Sequence, residues 1–136
     1  MFELKTYNGQ QFPQTNRIYI LSKGRNAGKP SLMPFVNSFV LNTSDEDEAQ
    51  LYYFLCFALW KAKKFRALLT GTAIPFIRKE ALRGAIAKNR GTVLKKSDFK
   101  GSVHKLLDLE RQLNARRLQL DRMETLKSNI LVNYIS

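Results

Sequence analysis

The chain has 136 residues, of which 44% are hydrophobic and 25% are charged, and its formal net charge is +12. This length supports one domain with a core but not two full domains, and the composition is typical of a globular protein rather than a disordered one. The single cysteine, Cys56, excludes an intramolecular disulfide and favours a reducing, cytoplasmic setting. The most apolar run, residues 51–60, is about half as long as a bilayer span, so we expect a buried helix there.

The positive charge is concentrated in the middle of the sequence. Residues 61–101 contain twelve Lys and Arg side chains against two acidic ones, Glu80 and Asp98, whereas residues 102–136 contain six basic and four acidic side chains. Such an uneven distribution is typical of a surface that faces a polyanion. It predicts nucleic acid as the first partner to consider, ahead of an anionic membrane surface.

The first 44 residues are predicted to form strands joined by loops. Residues 17–21 are short, apolar and rich in β-formers, and residues 22–30 form a loop by their Gly, Asn and Pro content. A second strand is predicted over residues 35–41. Its one mostly apolar face comprises Phe35, Asn37, Phe39 and Leu41, which alternate with Val36, Ser38 and Val40.

A central helix is predicted from about Asp45 to Leu69. Thr43 or Ser44 is the expected N-cap, with a capping-box-like spacing from Ser44 to Asp47, and acidic residues 45–48 suit the positive end of the helix dipole. The basic residues near the C-terminal end suit the negative end of the helix dipole; they are Lys61, Lys63, Lys64 and Arg66. Gly71 is the residue at which we expect the helix to stop. Because the middle of this segment is apolar nearly all round, we expect it to lie in the core.

Two further helices are predicted. A short one covers residues 78–88 and closes at residues 89–91, and an irregular basic stretch follows it. The second runs from Ser102 to about Asn133 and is long enough to need a partner helix. Its heptad-like stripe is interrupted by Arg116 and Lys127 and comprises Leu106, Leu109, Leu113, Leu120, Met123, Ile130 and Tyr134. The stripe packs either within the chain or across a dimer, and we expect a homodimer.

The expected fold class is therefore α+β. We predict a small domain with a basic surface around a buried helix at residues 1–101, and a coiled-coil-like helix for dimerisation or docking at residues 102–136.

The sequence contains few residues in patterns that are typical of catalytic sites. His104 is the only histidine, which argues against most metal sites and triads, and Cys56 lies in an apolar run where a thiol is usually inert. The acidic residues cluster at a helix start, where capping already explains them. We expect no enzyme activity, no catalytic residues, no metal and no cofactor.

The loop at residues 24–29 is close to a phosphate-binding pattern but differs from it in two details. Three residues instead of four separate Gly24 from Gly28, and Pro30 stands where Ser or Thr would bind magnesium. We therefore expect no nucleotide hydrolysis. The glycines and cations of this loop suit either a contact with DNA or a solvated hairpin, and both interpretations stay open.

The order of these segments resembles the target recognition domain of type I restriction-modification specificity subunits, followed by that family's long helix. The matching pieces are Ile18–Lys29, Asn37–Leu41, Leu51–Leu55, Gly71–Leu82 and Leu106–Ile135. Residues 83–102 lack the Pro-rich segment ending in Glu-Gln of that family, and the N-terminal part is shorter. The chain is thus similar to a reduced or divergent member.

This resemblance implies a domain that reads duplex DNA and a long helix that dimerises or holds a methyltransferase or other protein partner. The candidate DNA contacts are Lys23, Arg25, Asn26 and Lys29 in the first loop, Thr72, Arg78 and Lys79 after the core helix, and Lys61 and Lys64 from the basic segment. The candidate dimerisation residues are Leu106, Leu109, Leu113, Leu120, Met123 and Ile130.

These features support three hypotheses. The first is a non-catalytic, dimeric, cytoplasmic DNA-binding protein with no membrane partner. The alternative is a structural or interaction protein of a mobile genetic element whose charge serves an acidic protein partner. The third is an RNA-binding protein, against which the lack of an aromatic-rich strand motif argues mildly.

Overall fold

The computed structural model describes residues 2–96 and 98–136 and confirms the α+β class with a long C-terminal helix. The chain divides into two compact units, residues 1–100 and residues 101–136. The first unit holds the sheets, two helices and the hydrophobic core. The second consists of most of the last helix and the C-terminal residues.

A four-stranded antiparallel sheet forms the base of the first unit. Its strands are β1 (Glu3–Thr6), β2 (Arg17–Leu21), β3 (Pro30–Ser31) and β4 (Ser38–Asn42), in the order β1-β4-β2-β3. In the central pair, Tyr19 lies opposite Val40 and Ile20 lies opposite Phe39. A two-stranded hairpin of β5 (Leu69–Thr70) and β6 (Phe76–Ile77) follows later in the chain.

Both faces of the central strands are covered, which differs from the one apolar face predicted for residues 35–41. Residues 38–41 are all buried, and β4 begins only at Ser38 because Asn37 has a left-handed backbone, with φ of 61°. The segment after β1 covers the second face: the Tyr19 hydroxyl donates to the Gln11 carbonyl at 2.8 Å. The Tyr7 ring also meets the Tyr19 ring edge-on at 5.7 Å.

Helix α1 (Glu46–Lys61) is the buried central helix and begins where predicted, but its N-cap residue and its C-terminal end differ from the prediction. The N-cap is Asp45, whose carboxylate accepts the Glu48 N–H at 2.9 Å. Thr43 is not the cap because it is buried and paired with Asn16: its N–H donates to the Asn16 carbonyl at 2.9 Å. The helix ends eight residues before the predicted Leu69, at a turn that contains Lys63.

The predicted limits of the last two helices also need correction. Helix α2 covers Lys79–Leu94, so residues 89–91 lie inside it instead of closing it. Helix α3 covers Phe99–Asn133 and begins three residues before the predicted Ser102. Gly91 and Gly101 therefore lie within helices, and a Cβ atom added to either would meet nothing within 4 Å.

The core lies between the four-stranded sheet and the two shorter helices. Helix α1 packs against β2 and β3, and α2 packs against β1 and α1. Fully buried side chains include Ile18 and Ile20 from β2, Leu55 from α1, and Leu82 and Ile86 from α2. Within residues 2–96 and 98–136, no helix is both long and apolar enough to cross a membrane.

Candidate nucleic-acid interface

The basic loop between β2 and β3 is held in one conformation by its own backbone. The Gly28 N–H donates to the Leu21 carbonyl at 2.7 Å, and the Ala27 N–H donates to the Gly24 carbonyl at 3.1 Å. Gly28 has φ of 101° and lies against the ring of Phe65, so a side chain does not fit there. The loop thus leaves Arg25 and Asn26 exposed to solvent while Ala27 and Gly28 are buried.

The same loop is joined to the β5–β6 hairpin. The Gly24 N–H donates to the Pro75 carbonyl at 2.7 Å, and the Ile77 N–H donates to the Ser22 carbonyl at 2.9 Å. Lys23 lies opposite Phe76 in an antiparallel bridge. The two groups of candidate contacts that the resemblance implies, one in the first loop and one after the core helix, therefore lie on neighbouring segments.

Helix α1 ends in a turn that carries two of the basic residues, Lys63 and Lys64. The Lys64 N–H donates to the Leu59 carbonyl at 2.9 Å and the Lys63 N–H donates to the Trp60 carbonyl at 3.0 Å, which is the bond pattern of a Schellman motif. Lys63 occupies the left-handed position, with φ of 61°, where glycine is usual. A 3₁₀ turn, Arg66–Leu68, follows directly.

A cavity of about 270 Å³ opens between the loop and this turn. Its lining residues are Arg25, Asn26 and Ala27 from the loop, and Trp60, Lys61, Lys63, Phe65 and Arg66 from the end of α1 and the turn after it. Phe65 is buried and forms part of the core, whereas Trp60 is half-buried and packs against the core. The cavity therefore combines aromatic surface with four cationic side chains.

Trp60 also contacts lysines from both segments. The Lys29 ammonium lies 5.0 Å from the centre of the Trp60 ring, and the Lys61 ammonium lies 5.1 Å from it. Contacts at this range are attractive because the electron-rich face of an indole ring stabilises a cation. Trp60 thus holds two side chains of like charge near each other.

The cations around this cavity have no acidic neighbours in sequence, because residues 4–44 and 49–79 contain no Asp or Glu. Within residues 2–96 and 98–136, the ion pairs are Lys5 with Glu3, Arg83 with Glu80 and Arg90 with Glu48. None of these pairs involves the cavity. The positive charge there is therefore neutralised by solvent ions or by an anionic ligand.

Two arginines of the basic segment have internal roles instead. Arg83 donates to Glu80 at 2.8 Å and to the Leu4 carbonyl at 3.2 Å, which connects α2 to β1. The Arg90 guanidinium lies 3.2 Å from a Glu48 carboxylate oxygen and 5.5 Å from the centre of the Tyr52 ring. The basic segment is therefore not one continuous surface.

The nine predicted DNA contacts are placed unequally. Arg25, Asn26 and Lys61 line the cavity, and Lys29 lies over its tryptophan. Lys23 and Lys64 are exposed nearby in sequence but do not line it. The remaining three are Thr72, which is exposed between β5 and β6, and Arg78 and Lys79, which begin α2.

Sequence reasoning missed Trp60, Lys63 and Arg66 as members of this site. The sequence pattern places Lys63 and Arg66 in the last turns of a longer helix and assigns Trp60 to the core alone. A detectable signal is present, since six of the eight residues from Trp60 to Ala67 are aromatic or basic and none is acidic or Gly. The convergence of these residues with residues 25–27 depends on the tertiary fold.

The apolar stripe of α3 is exposed within its own unit. Leu109, Leu113, Leu120, Met123 and Ile130 keep between 49% and 63% of their surface accessible. Leu106, nearer the start of the helix, is half-buried. Such a run of half-exposed apolar side chains on one helix is unusual for a monomer and is typical of a helix that pairs.

The remaining reactive groups lie apart from the cavity. Burial raises the pKa of the Cys56 thiol to about 12, which keeps it protonated and unreactive. Burial also raises the pKa of Tyr52, against the opposing effect of Arg90. His104 is exposed on α3. In the described part of the chain, no group of three or more His, Cys, Asp or Glu residues is arranged to hold a metal ion.

A family model described as a family of unknown function, DUF6943, matches residues 4–133, which is nearly the whole chain. A search of curated proteins found no match.

Proposed function

We propose that this chain, which belongs to the DUF6943 family, is a non-catalytic, cytoplasmic protein that binds duplex DNA and pairs through its C-terminal helix. In this proposal it acts as a reduced relative of the specificity domains that its segment order resembles. The basic cavity and the loop beside it contact the DNA backbone, and α3 carries the dimer contact.

The observation that carries this proposal is the convergence of cations from two separate segments. Arg25 comes from the β2–β3 loop, and Lys61, Lys63 and Arg66 come from the end of α1 and the turn after it. Bringing like charges together without acidic partners is unfavourable in the free protein, and a polyanion offsets that repulsion. Each phosphate that these side chains neutralise releases condensed counterions from DNA, which drives binding.

The bridge between Lys23 and Phe76 supports a wider contact surface. It places the β2–β3 loop beside the hairpin that leads to Arg78 and Lys79. Asn26 has the amide that pairs with adenine in base readout, whereas the cations supply positioning contacts to phosphate. We assign Asn26 the reading role and the neighbouring cations the positioning role.

The dimer part of the proposal rests on the exposed stripe of α3. A heptad-like row of apolar side chains removes its surface from water when a second helix packs on it. Arg116 and Lys127 interrupt this row, and charged residues within a stripe commonly restrict the register of the pair at a cost in stability.

A competition experiment between duplex DNA and an acidic polypeptide distinguishes DNA binding from binding to an acidic protein partner. Labelled duplex DNA is titrated with the protein at low salt, and polyglutamate of equal total charge is then added. DNA binding as proposed is saturable and persists against polyglutamate. Equal displacement by polyglutamate and by unlabelled duplex would favour a general acidic partner and contradict the DNA proposal.

A further inference from the structure

The size of the basic cavity distinguishes it from a simple phosphate contact. Its volume of about 270 Å³ is enough for several water molecules. One phosphate group, with five heavy atoms, fills only part of that space. The volume approaches the lower limit of about 300 Å³ for pockets that enclose small organic ligands.

The lining of the cavity is divided between two chemistries. Arg25, Lys63 and Arg66 are exposed and cationic, and they suit a phosphate. Trp60, which is half-buried, supplies aromatic surface, and Asn26 supplies an amide that both donates and accepts hydrogen bonds. A nucleotide has the same division, with a charged phosphate at one end and a flat base with a hydrogen-bonding edge at the other.

We infer that this cavity binds one unpaired nucleotide of a DNA strand, with its base against Trp60 and its phosphate among Arg25, Lys63 and Arg66. The inference rests on the proposed DNA-binding function and specifies that the bound DNA has an unpaired nucleotide. Paired bases inside a duplex are stacked and do not enter a cavity of this kind, so an end, an overhang or an extruded base supplies the nucleotide.

The walls of the cavity are held in place by packing and by backbone hydrogen bonds. Gly28 lies against Phe65, and the bonds from Lys63 and Lys64 to the last turn of α1 hold the opposite side. A cavity that is already formed binds a ligand without the entropy of ordering its walls. The two lysines at Trp60 are the adjustable parts, since their ammonium groups can leave the ring for a phosphate.

Trp60 is the only tryptophan, so its fluorescence reports directly on the cavity. The protein is titrated at fixed ionic strength with a single strand of about 12 nucleotides and with a covalently closed duplex that has no ends. A nucleoside 5′-monophosphate and inorganic phosphate are titrated in the same way. The expected result is saturable quenching by the single strand, weaker quenching by the nucleotide, and little change with phosphate or with the closed duplex.

Two variants test whether the cavity is responsible for single-strand binding. Arg66→Ala should weaken single-strand binding by at least about tenfold, because it removes a charge-assisted hydrogen bond to phosphate. Arg122→Ala removes an exposed cation of α3 that does not line the cavity, and should change single-strand binding by less than about threefold. Equal losses in the two variants would overturn the inference.

The outcomes also separate this inference from the function on which it rests. Salt-dependent binding of the closed duplex equal to that of the single strand, with Trp60 unchanged, overturns the cavity assignment and leaves duplex binding standing. Binding of neither DNA overturns both. Tighter binding of the free nucleotide than of the strand would overturn the inference by showing that a soluble nucleotide, not DNA, is the source of the ligand.

Discussion

Gly28 in the β2–β3 loop lies in direct contact with the ring of Phe65, which follows the end of α1. A Cβ atom on Gly28 would lie 2.7 Å from Phe65 Cγ and 2.8 Å from Cε2, and φ at Gly28 is 101°. Phe65 is buried in the core, so its ring has little room to move. This contact joins the two segments that form the basic cavity.

We expect Gly28→Ala to destabilise the protein by about 2 kcal/mol or more, because overlap with Phe65 adds to the strain of a left-handed backbone. Gly24→Ala is the matched control, since Gly24 has φ of 88° but nothing within 4 Å of an added Cβ. It should cost only the backbone strain of about 1 kcal/mol. Urea unfolding measures both, and equal losses of stability would contradict the packing assigned to Gly28.

A substitution at Lys63 should change the stability of the fold and the affinity for DNA in opposite directions. Its left-handed backbone costs roughly 1 kcal/mol, which Lys63→Gly should recover at the helix C-terminus. The same change removes a cation from the cavity, so DNA affinity should fall although the fold becomes more stable. Lys64→Gly, one residue later, is the control for stability: Lys64 has no left-handed backbone to relieve, so this change should not stabilise the fold. A rise in both stability and affinity in Lys63→Gly would exclude this lysine from the binding surface.

Cys56 should make the folded state less stable at alkaline pH, because burial raises the pKa of its thiol. Its pKa rises from 9.0 to about 12 on burial, so between these values the unfolded state loses the thiol proton while the folded state keeps it. Folding stability from this group is complete below about pH 9 and is lost as pH rises toward about 12. Urea unfolding at about pH 8 and 10 should show the loss, and Cys56→Ala should have a smaller loss over that range.

A thiol reagent gives an independent check. At about pH 8 the native protein should react far more slowly than the urea-unfolded chain, because the thiolate is the reactive form and Cys56 is fully buried. Rapid native labelling would contradict both the burial and the raised pKa of Cys56.

If the apolar stripe of α3 holds a dimer together, charged residues introduced into the stripe should dissociate that dimer. Leu113→Asp with Leu120→Asp places carboxylates in an apolar contact and should convert a dimer to a monomer with an unchanged near-ultraviolet spectrum of the first unit. Thr125→Asp changes the other side of the helix and should leave the dimer intact. Sedimentation equilibrium measures the mass, and a parent protein that is monomeric at all concentrations would remove the dimer proposal.

The sequence predicts elements best where one local signal dominates. The run Leu51–Trp60 and the Gly- and Pro-free stretch after Ser102 each predict a helix, and α1 and α3 lie there. Helix ends are less predictable because competing caps stand side by side. Thr43, Ser44 and Asp45 are all good N-caps, and the choice of Asp45 follows from the pairing of Thr43 with Asn16, 27 residues away.

The cavity is only partly predictable for a similar reason. A helix continued through to Leu69 would spread Lys61, Lys63 and Arg66 around its surface. The Schellman turn at Lys63 instead gathers them on one side, and it depends on a left-handed lysine that no local rule favours. The close approach of Gly28 to Phe65 is a tertiary contact and has no local sequence signal.

We propose that the cations of the cavity contact DNA phosphates, and the salt dependence of DNA affinity tests this contact most directly. Anisotropy of a labelled duplex between about 50 and 200 mM salt should show affinity falling at least about a hundredfold, if about four phosphates are neutralised. The combined variant Arg25→Ala, Lys63→Gly and Arg66→Ala should flatten the salt slope by about 1 for each phosphate that is no longer neutralised. The combined variant Arg111→Ala, Arg117→Ala and Arg122→Ala removes the same charge from α3 and should leave the slope nearly unchanged. Equal slopes in the two variants, or no binding at the lower salt, would contradict the account.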